Sequence, residues 1–299
     1  MADATLFNLS PNHPMADKLA KEMGMTMGRY EIREFPDGET YLRVLEAVEQ
    51  QPTVIFCDLY QPNAQFFPLI SFAENLKELG ARDVCLVTPY LPYMRQDKRF
   101  QSGESITSQH FAHHLSIAFD GLITVDPHLH RYPTLDCVYD LKGEVCTAQE
   151  AITHFLKEHP EDMILIGPDE ESEQWVSAIA QSAERPFQIL TKERTGDYSV
   201  SVSQPELSKY KGFRPVLVDD IISSGRTMLR TIEHLPKNDM GKPLVIGVHG
   251  IFAYDAYSTL KEVAEVHTCN SIVHETNSLD LTPIIAKRLT QYLNELTQA

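Results

Sequence analysis

One stretch of the chain decides how it folds: Val216-Leu-Val-Asp-Asp-Ile-Ile-Ser-Ser-Gly-Arg-Thr-Met228. A short apolar run ends in Asp219 and Asp220, a turn of small residues follows, and a helical pattern then begins. This order predicts a strand, a loop and a helix start. Amide groups of a first helical turn lack partners within the helix, and the helix dipole attracts anions there. The stretch therefore suits a sugar phosphate, although an ordinary strand–loop–helix joint with a solvated acidic pair shows the same pattern.

Short apolar runs alternate with longer amphipathic segments along the whole chain, which predicts parallel sheets covered by helices. Ligands of such sheets bind beyond the carboxyl ends of the strands, so polar residues just after the strands are the candidate site residues. The strand candidates are Thr53–Cys57, Val84–Thr88, Leu122–Asp126, Met163–Gly167, Phe187–Thr191, Val216–Asp220 and Leu244–Val248; the helix candidates are Pro68–Leu79, Ser105–Phe119, Ala148–Glu158, Glu173–Ala183, Thr227–Leu235, Ser258–Val263 and Pro283–Leu296.

The chain divides into two halves that show a similar alternation of apolar runs and amphipathic segments. No low-complexity linker separates them. We expect an N-terminal domain over 1–143 and a C-terminal domain over 144–283, each of an ordinary domain size. The closing helix, 284–299, is expected to pack back on the first domain. Each half contains a strand that ends in Val-Asp, at Val125-Asp126 and at Val218-Asp219, which suggests an internal duplication.

Composition and charge narrow the classes of protein that the chain fits. Its 299 residues and 42% apolar content are enough to form two buried cores. A net charge of −16 disfavours a nucleic-acid partner or an anionic membrane surface, and no apolar run approaches the length of a membrane span. The five cysteines are odd in number, and no signal peptide is evident, so we expect reduced thiols and a cytoplasmic protein.

A second motif, Phe35-Pro-Asp-Gly-Glu-Thr40, places an aromatic ring and two carboxylates on a glycine turn. An aromatic face stacks on a purine, and carboxylates accept hydrogen bonds from an exocyclic amine. Asp37-Gly38 is also a strong signal for a β-hairpin turn that needs no ligand. The motif therefore predicts an adenine contact or a plain hairpin.

A basic segment follows the strand candidate Val84–Thr88 and includes Arg95, Lys98 and Arg99. Loops after strands often carry substrate contacts, and guanidinium groups match the geometry of phosphate oxygens. Cations are scarce in this chain, which has 26 Lys and Arg against 42 Asp and Glu. The segment therefore predicts a phosphate contact, with a solvated basic loop as the alternative.

Two imidazoles and a carboxylate meet at a strand end in Asp126-Pro-His-Leu-His130. If the chain stays extended there, His128 and His130 point to the same side. No further ligands have the spacing of a zinc site. A role beside magnesium and phosphate is more plausible, with water and phosphate supplying much of the coordination.

A pair of cations, Lys192 and Arg194, follows the apolar run Phe187–Leu190. In phosphoryl transfer the protein chiefly places positive charge around the moving group, whose oxygens carry the developing charge. The pair therefore predicts a catalytic role, and the alternative is a surface ion cluster that contributes little to stability.

Taken in their order along the chain, these motifs resemble those of the ribose-phosphate pyrophosphokinase family, and the resemblance covers nearly the whole chain. The loops of this chain resemble those of the shorter, archaeal-type members of the family. Phe35–Glu39 is similar to the family's adenine-binding loop, and Tyr93–Asp97 to its Tyr-x-Arg-Gln-Asp segment. Asp126–His128 stands where the family has Asp-Leu-His, and Lys192–Arg194 matches the Lys-x-Arg pair of its catalytic loop. Val218–Thr227 matches its ribose-5-phosphate loop.

The resemblance implies two type I phosphoribosyltransferase-like domains, each a mostly parallel sheet flanked by helices. It implies transfer of the pyrophosphoryl group of ATP to the 1-hydroxyl of ribose 5-phosphate, Mg²⁺ as cofactor, and a homo-oligomer of two subunits or more. The implied residues are Phe35, Asp37, Glu39, Arg95 and Gln96 for ATP; Lys192 and Arg194 for catalysis; His128 and Asp169 for the metal; and Asp219, Asp220, Ser223, Ser224, Gly225, Arg226 and Thr227 for ribose 5-phosphate.

Two other functions share part of this pattern. A phosphoribosyltransferase would use the loop Val218–Thr227 to bind the activated sugar, but it would not need the ATP-side elements Phe35–Glu39 and Lys192–Arg194. A non-catalytic regulatory paralogue usually loses the catalytic cations or the ribose acids, which this chain keeps. The chain does depart from the family loop, because Ser223 replaces an acidic residue and Arg226 replaces a glycine.

Overall fold

Two six-stranded parallel sheets organise the chain. Each sheet belongs to a separate compact unit, the first formed by 4–147 with 282–298 and the second by Ala148–Leu281. None of the helices in the described ranges is long and apolar enough to cross a bilayer. The computed structural model describes residues 4–168, 172–190, 192–194, 200–202, 207–236 and 240–298.

The first unit is built on a sheet with the strand order β2-β1-β5-β6-β7-β8, in which all neighbours run parallel. An antiparallel hairpin of β3 and β4 lies outside that sheet. The elements are β1 (Thr5–Asn8), α1 (Met15–Met23), β2 (Thr26–Met27), β3 (Tyr30–Glu34), β4 (Thr40–Val44), β5 (Pro52–Phe56), α2 (Asn63–Glu78), β6 (Asp83–Thr88), α3 (Thr107–Ala118), β7 (Gly121–Val125), β8 (Lys142–Cys146) and, from the end of the chain, α8 (Thr282–Gln298).

The second unit has the sheet order β10-β9-β13-β14-β15-β16, again with parallel neighbours. Its antiparallel hairpin, β11 with β12, also lies outside the sheet. The elements are α4 (Gln149–Glu158), β9 (Met163–Gly167), α5 (Glu173–Ala183), β10 (Phe187–Ile189), β11 (Lys192–Arg194), β12 (Val200–Val202), β13 (Arg214–Ile222), α6 (Arg226–Glu233), β14 (Leu244–Gly250), α7 (Ala256–Val263), β15 (Glu265–Cys269) and β16 (Asn277–Leu279).

The two units repeat one topology. In each sheet the second strand along the chain lies at the edge, the first lies beside it, and the remaining four follow in order. Each unit also inserts its antiparallel hairpin between its second and third sheet strands. The two Val-Asp strand ends do not mark this repeat, because Val125 ends the fifth sheet strand of one unit while Val218 lies in the third of the other.

Both boundaries between the units differ from those expected at 143/144 and 283/284. The first expected boundary falls inside β8, which pairs with β7 and completes the first sheet, so the unit continues to Thr147. The second falls inside α8, which begins at Thr282. A short strand such as Lys-Gly-Glu-Val-Cys, with two charged residues, carries little apolar pattern by which it could be predicted.

The closing helix α8 is anchored in the first unit by one aromatic side chain. Tyr292 is buried and donates its phenol hydrogen to the Asp83 carboxylate, with 3.0 Å to each oxygen. Gly121 lies against the Tyr292 ring, where any side chain would collide with the phenol. The Arg288 guanidinium, on the same helix, lies 3.2 Å from the Glu144 carboxylate. These contacts join the last residues of the chain to three strands of the first sheet.

Burial raises the pKa of Asp83 to about 6, against the opposing effect of the hydrogen bond from Tyr292. The folded chain therefore binds a proton at Asp83 more tightly than the unfolded chain does. The resulting stabilisation is fully present below about pH 4, and it is lost as the pH rises through about 6.

Replacing Asp83→Asn removes this titration while keeping an oxygen that accepts the Tyr292 hydrogen bond. We expect the variant to gain about 1–2 kcal/mol of unfolding free energy relative to the parent between pH 4 and pH 8, since a partly solvated carboxylate feels less than the full shift. Urea unfolding across that pH range measures the difference. Glu22→Gln, an exposed carboxylate of α1, is the control; the same gain in both variants would contradict the assignment to Asp83.

Candidate functional site

In the second unit, the carboxylates of Asp219 and Asp220 lie within strand β13 rather than just after its end. The strand continues to Ile222 because its backbone stays paired with β14, with Asp219 opposite Gly247 and Ile221 opposite His249. Both acidic residues are half-buried, and the Asp219 Oδ1 accepts a hydrogen bond from the Asp220 amide at 3.0 Å. The pair is thus presented by a rigid strand near its carboxyl end.

The turn from β13 to α6 is held by backbone hydrogen bonds. The Ile222 carbonyl accepts from the amides of Ile251 and Phe252 at 3.0 and 3.1 Å, and the Ser223 carbonyl accepts from Ala253 at 3.0 Å. These donors all come from the segment that follows β14. These backbone contacts do not depend on which side chains the turn carries.

Gly225 begins helix α6 in the left-handed conformation, with φ of +68°. A Cβ placed there would lie 3.0 Å from Leu260 Cδ1, so both conformation and space favour glycine. No side chain in the described part of the chain caps this helix, and Arg226 and Thr227 of its first turn are exposed. The buried side chain of Met228 anchors the turn. The result is an open helix start that can receive an anion on its backbone amides.

A buried histidine that carries no assigned role in the sequence analysis lies beside this strand. His249, on β14, places its Nδ1 2.9 Å from the Ser271 hydroxyl, which itself donates to the Val248 carbonyl at 2.8 Å. Because the single hydroxyl hydrogen is used on Val248, Nδ1 is the donor to Ser271. The contact spans 22 residues of sequence, so local pattern could not reveal it.

In the first unit, the segment Phe35–Glu39 forms the turn of the β3–β4 hairpin, as one of the two interpretations predicted. The Phe35 amide donates to the Glu39 carbonyl at 2.7 Å, and Gly38 has φ of +89°. The Phe35 ring is 40% exposed although the Arg33 guanidinium lies 4.7 Å from its centre. Asp37 and Glu39 are exposed as well. A hairpin and an adenine contact are compatible, because the turn leaves both the ring and the acids accessible.

The basic segment after β6 is fixed through Gln96 and Asp97. The Gln96 carbonyl accepts the Ser108 hydroxyl at 3.0 Å, and the buried Asp97 carboxylate lies 3.1 Å from the Arg131 Nε. Arg95, between Met94 and Gln96 in the chain, is exposed. The loop thus offers the Arg95 guanidinium and the Gln96 side chain from a fixed backbone.

His128 and His130 lie together, although not for the predicted reason. The strand β7 ends at Val125, Asp126 has φ of +36°, and the His128 amide donates to the Asp126 carbonyl at 3.0 Å. A tight turn, rather than an extended chain, brings the two imidazole centres to 3.9 Å.

The predicted catalytic cations lie on one strand of the second hairpin. Lys192 and Arg194 are the first and last residues of β11, which pairs antiparallel with β12 through Lys192 opposite Val202 and Arg194 opposite Val200. Asp169, the second predicted metal residue, lies outside the described residues. Their roles stay predictions.

Comparison with known proteins places this geometry in a family. Residues 4–118 match the model of the N-terminal domain of ribose phosphate pyrophosphokinase, and residues 146–279 match that of the phosphoribosyl transferase domain. A ribose-phosphate pyrophosphokinase of Methanopyrus kandleri is 30% identical over 245 residues, which are 81% of this chain and 83% of that protein. The chain belongs to the ribose-phosphate pyrophosphokinase family.

A further relative and a solved structure match this chain over more of its length. The enzyme of Sulfurisphaera tokodaii is 26% identical over 283 residues, covering 91% of this chain and 96% of that protein. The crystal structure of phosphoribosylpyrophosphate synthetase from Mycobacterium smegmatis superposes with a TM-score of 0.85 at 24% identity, covering 98% of this chain and 99% of that one. The predicted fold, two phosphoribosyltransferase-like domains with mostly parallel sheets, is confirmed.

The conformation of Gly225 yields a stability prediction for the open helix start. Gly225→Ala should lower the unfolding free energy by about 2 kcal/mol, because a left-handed alanine costs about 1 kcal/mol and its Cβ also presses on Leu260. Chemical denaturation measures the loss. Gly24→Ala is the matched control, since Gly24 has nearly the same φ, +66°, with open space around it, and should lose only about 1 kcal/mol. Equal losses would show that Leu260 does not restrict the turn.

Proposed function

We propose that this chain is a ribose-phosphate diphosphokinase, which transfers the pyrophosphoryl group of ATP to the 1-hydroxyl of ribose 5-phosphate and forms phosphoribosyl pyrophosphate and AMP. The observation that carries the proposal is the open helix start at Gly225, five residues after Asp220. It occurs in a chain whose first unit matches the N-terminal domain of ribose phosphate pyrophosphokinase. That first unit favours the kinase over a phosphoribosyltransferase.

The hydrogen-bonding groups near the end of β13 complement those of ribose 5-phosphate. The amides at the start of α6, with the hydroxyls of Ser223, Ser224 and Thr227, are donors for the 5-phosphate oxygens. The exposed Arg226 adds a positive charge beside them. The carboxylates of Asp219 and Asp220 are acceptors for the two ribose hydroxyls.

ATP would be bound by residues of the first unit. The exposed Phe35 ring offers a face for adenine, and Asp37 and Glu39 offer acceptors for its exocyclic amine. Arg95 supplies charge for the phosphates. Gln96 contributes through its side chain, because its carbonyl already accepts from Ser108.

The reaction then needs one displacement and no covalent enzyme intermediate. The 1-hydroxyl oxygen of the ribose forms a bond to the β-phosphorus of ATP, and the bond from that phosphorus to the α,β-bridging oxygen breaks. AMP leaves with the bridging oxygen, and the hydroxyl proton passes to solvent. Lys192 and Arg194 would stabilise the charge that develops on the transferring phosphoryl oxygens.

A magnesium ion suits the carboxylates of this site. Mg²⁺ prefers oxygen ligands and commonly binds through one or two carboxylates together with substrate phosphates, and Asp219 and Asp220 are a half-buried carboxylate pair. When bound, the ion would neutralise charge on the ATP phosphates. His128, in the first unit, is separately proposed as a metal ligand, and Asp169 remains a sequence-based assignment.

The chain is proposed to work as a homo-oligomer, a dimer or larger, in the cytoplasm. The β3–β4 hairpin, outside the main sheet, exposes Ile32 and Phe35 at 43% and 40%, apolar area that a neighbouring subunit would cover. Asp37 and Glu39 would then complete the neighbour's ATP site. All five cysteines are free thiols in the described part of the chain, as in reducing compartments.

An AMP-release assay tests the proposed function directly. Purified protein with ATP and Mg²⁺ should release AMP only when ribose 5-phosphate is present. A parallel incubation with phosphoribosyl pyrophosphate and a panel of nucleobases should yield no nucleotide. Nucleotide formation there, without sugar-dependent AMP, would establish a phosphoribosyltransferase; no reaction in either assay would favour a non-catalytic paralogue.

Lys192→Ala tests the catalytic assignment. Removal of one transition-state cation should lower kcat by about 100- to 1000-fold with a smaller effect on KM. Lys157→Ala, an exposed lysine on α4 of the same unit, is the control and should keep full activity. A comparable loss in both variants, or unfolding of Lys192→Ala by circular dichroism, would assign Lys192 a structural role instead.

A further inference from the structure

The two imidazoles after β7 form a donor set that the magnesium assignment does not explain. The ring centres of His128 and His130 are 3.9 Å apart at an angle of 63°, and each ring has a ligating nitrogen within 4.8 Å of one on the other. His128 is half-buried and His130 is exposed. The two nitrogens are therefore near enough for one cation to lie beside both rings.

The segment that carries the pair is fastened just beyond His130. The Arg131 Nε contacts the buried Asp97 carboxylate at 3.1 Å, and the Tyr132 hydroxyl donates to the Asp97 carbonyl at 3.2 Å. The Tyr132 oxygen also accepts from Gln109 of α3 at 3.4 Å. The loop is therefore held on both sides of the imidazoles, by the Asp126 turn and by Asp97, which lowers the entropy lost when both rings bind one ion.

Donor chemistry sets which cation such a pair prefers. Mg²⁺ takes oxygen ligands and gives up its water reluctantly, whereas imidazole nitrogen suits first-row transition metals, with affinity rising from Mn²⁺ through Co²⁺ to Ni²⁺. We propose that His128 and His130 together form a nitrogen-donor site for a divalent transition cation. The proposal rests on the proposed metal role of His128 and adds His130 as its second ligand, with water or phosphate oxygen completing the coordination.

The proposal distinguishes this site from an oxygen-only magnesium site in a measurable way. Substrate-free protein should bind Co²⁺ more tightly than Mg²⁺, and the visible absorption of bound Co²⁺ should show nitrogen ligation. Mg²⁺ in large excess should displace Co²⁺ poorly.

His130→Ala is the decisive variant. It should weaken Co²⁺ binding at least about tenfold, with a much smaller effect on Mg²⁺ binding, because the lost ligand is a nitrogen. Asp97→Asn should weaken Co²⁺ binding by less than His130→Ala, since Asp97 only positions the loop. His130 is exposed, so circular dichroism should show an unchanged fold.

The matched control is His110→Ala combined with His114→Ala. These two histidines are exposed one turn apart on α3, a spacing that can also hold a transition metal. The control should leave Co²⁺ affinity within about twofold of the parent. Equal Co²⁺ affinity in the parent and in His130→Ala, or loss of Co²⁺ binding only in the α3 control, would overturn the proposal.

The Co²⁺-binding experiment and the AMP-release assay test the two proposals independently. Co²⁺ titration uses no ATP or ribose 5-phosphate, so it tests the imidazole pair alone. An inactive parent protein that still binds Co²⁺ through His130 would remove the kinase proposal but keep the site. A parent protein that releases AMP with Mg²⁺ but binds Co²⁺ independently of His130 would keep the kinase proposal and remove the imidazole site.

Discussion

Complete burial of the central parallel strands is the constraint on which the rest of the structure depends. Every residue of β5, β6 and β7 in the first unit, and of β9 and β14 in the second, is buried. An unpaired polar side chain in such a strand costs several kcal/mol, so polar groups concentrate where the strands end. Asp126 follows β7 directly, and Asp219 and Asp220 occur in the last half of β13, where the burial of that strand is interrupted.

The repeated topology places different side chains at equivalent positions of the two units. Both units insert an antiparallel hairpin between the second and third sheet strands, and the two hairpins carry different chemistry. The first presents an aromatic ring and two acids at Phe35–Glu39, while the second contains the cations Lys192 and Arg194. The third strand has diverged as well, because β13 runs into Gly225 and an open helix, whereas β5 is followed by Cys57 and α2 begins after Pro62. The same strand order thus carries different hairpin residues and a different loop after the third strand in each unit.

Elements with a strong local signal were predictable from the sequence. The strand Met163–Gly167 was predicted to the residue, and the strands at 52–56, 83–88 and 121–125 within one residue at each end, because a fully buried strand is a continuous apolar run. The strands β8, β15 and β16 were missed because edge or half-buried strands mix polar and apolar residues. The β13–α6 turn of the candidate site was predictable for the same local reason. The contact of Asp97 with Arg131, 34 residues apart, and that of His249 with Ser271 are set by tertiary structure alone.

Two residues of this chain, Ser223 and Arg226, differ from those usual in the family's ribose-5-phosphate loop, and both occupy positions where the structure accommodates the change. Ser223 replaces an acid, but its contribution to the turn is its carbonyl, which accepts from Ala253 whatever the side chain is. Arg226 replaces a glycine, yet it occupies the first helical position with an exposed side chain, while the left-handed conformation falls on Gly225 instead. Backbone hydrogen bonds and one glycine therefore keep the start of α6 open. The substitutions remove one negative group and add a positive one, and both changes in charge favour an anion at the start of α6.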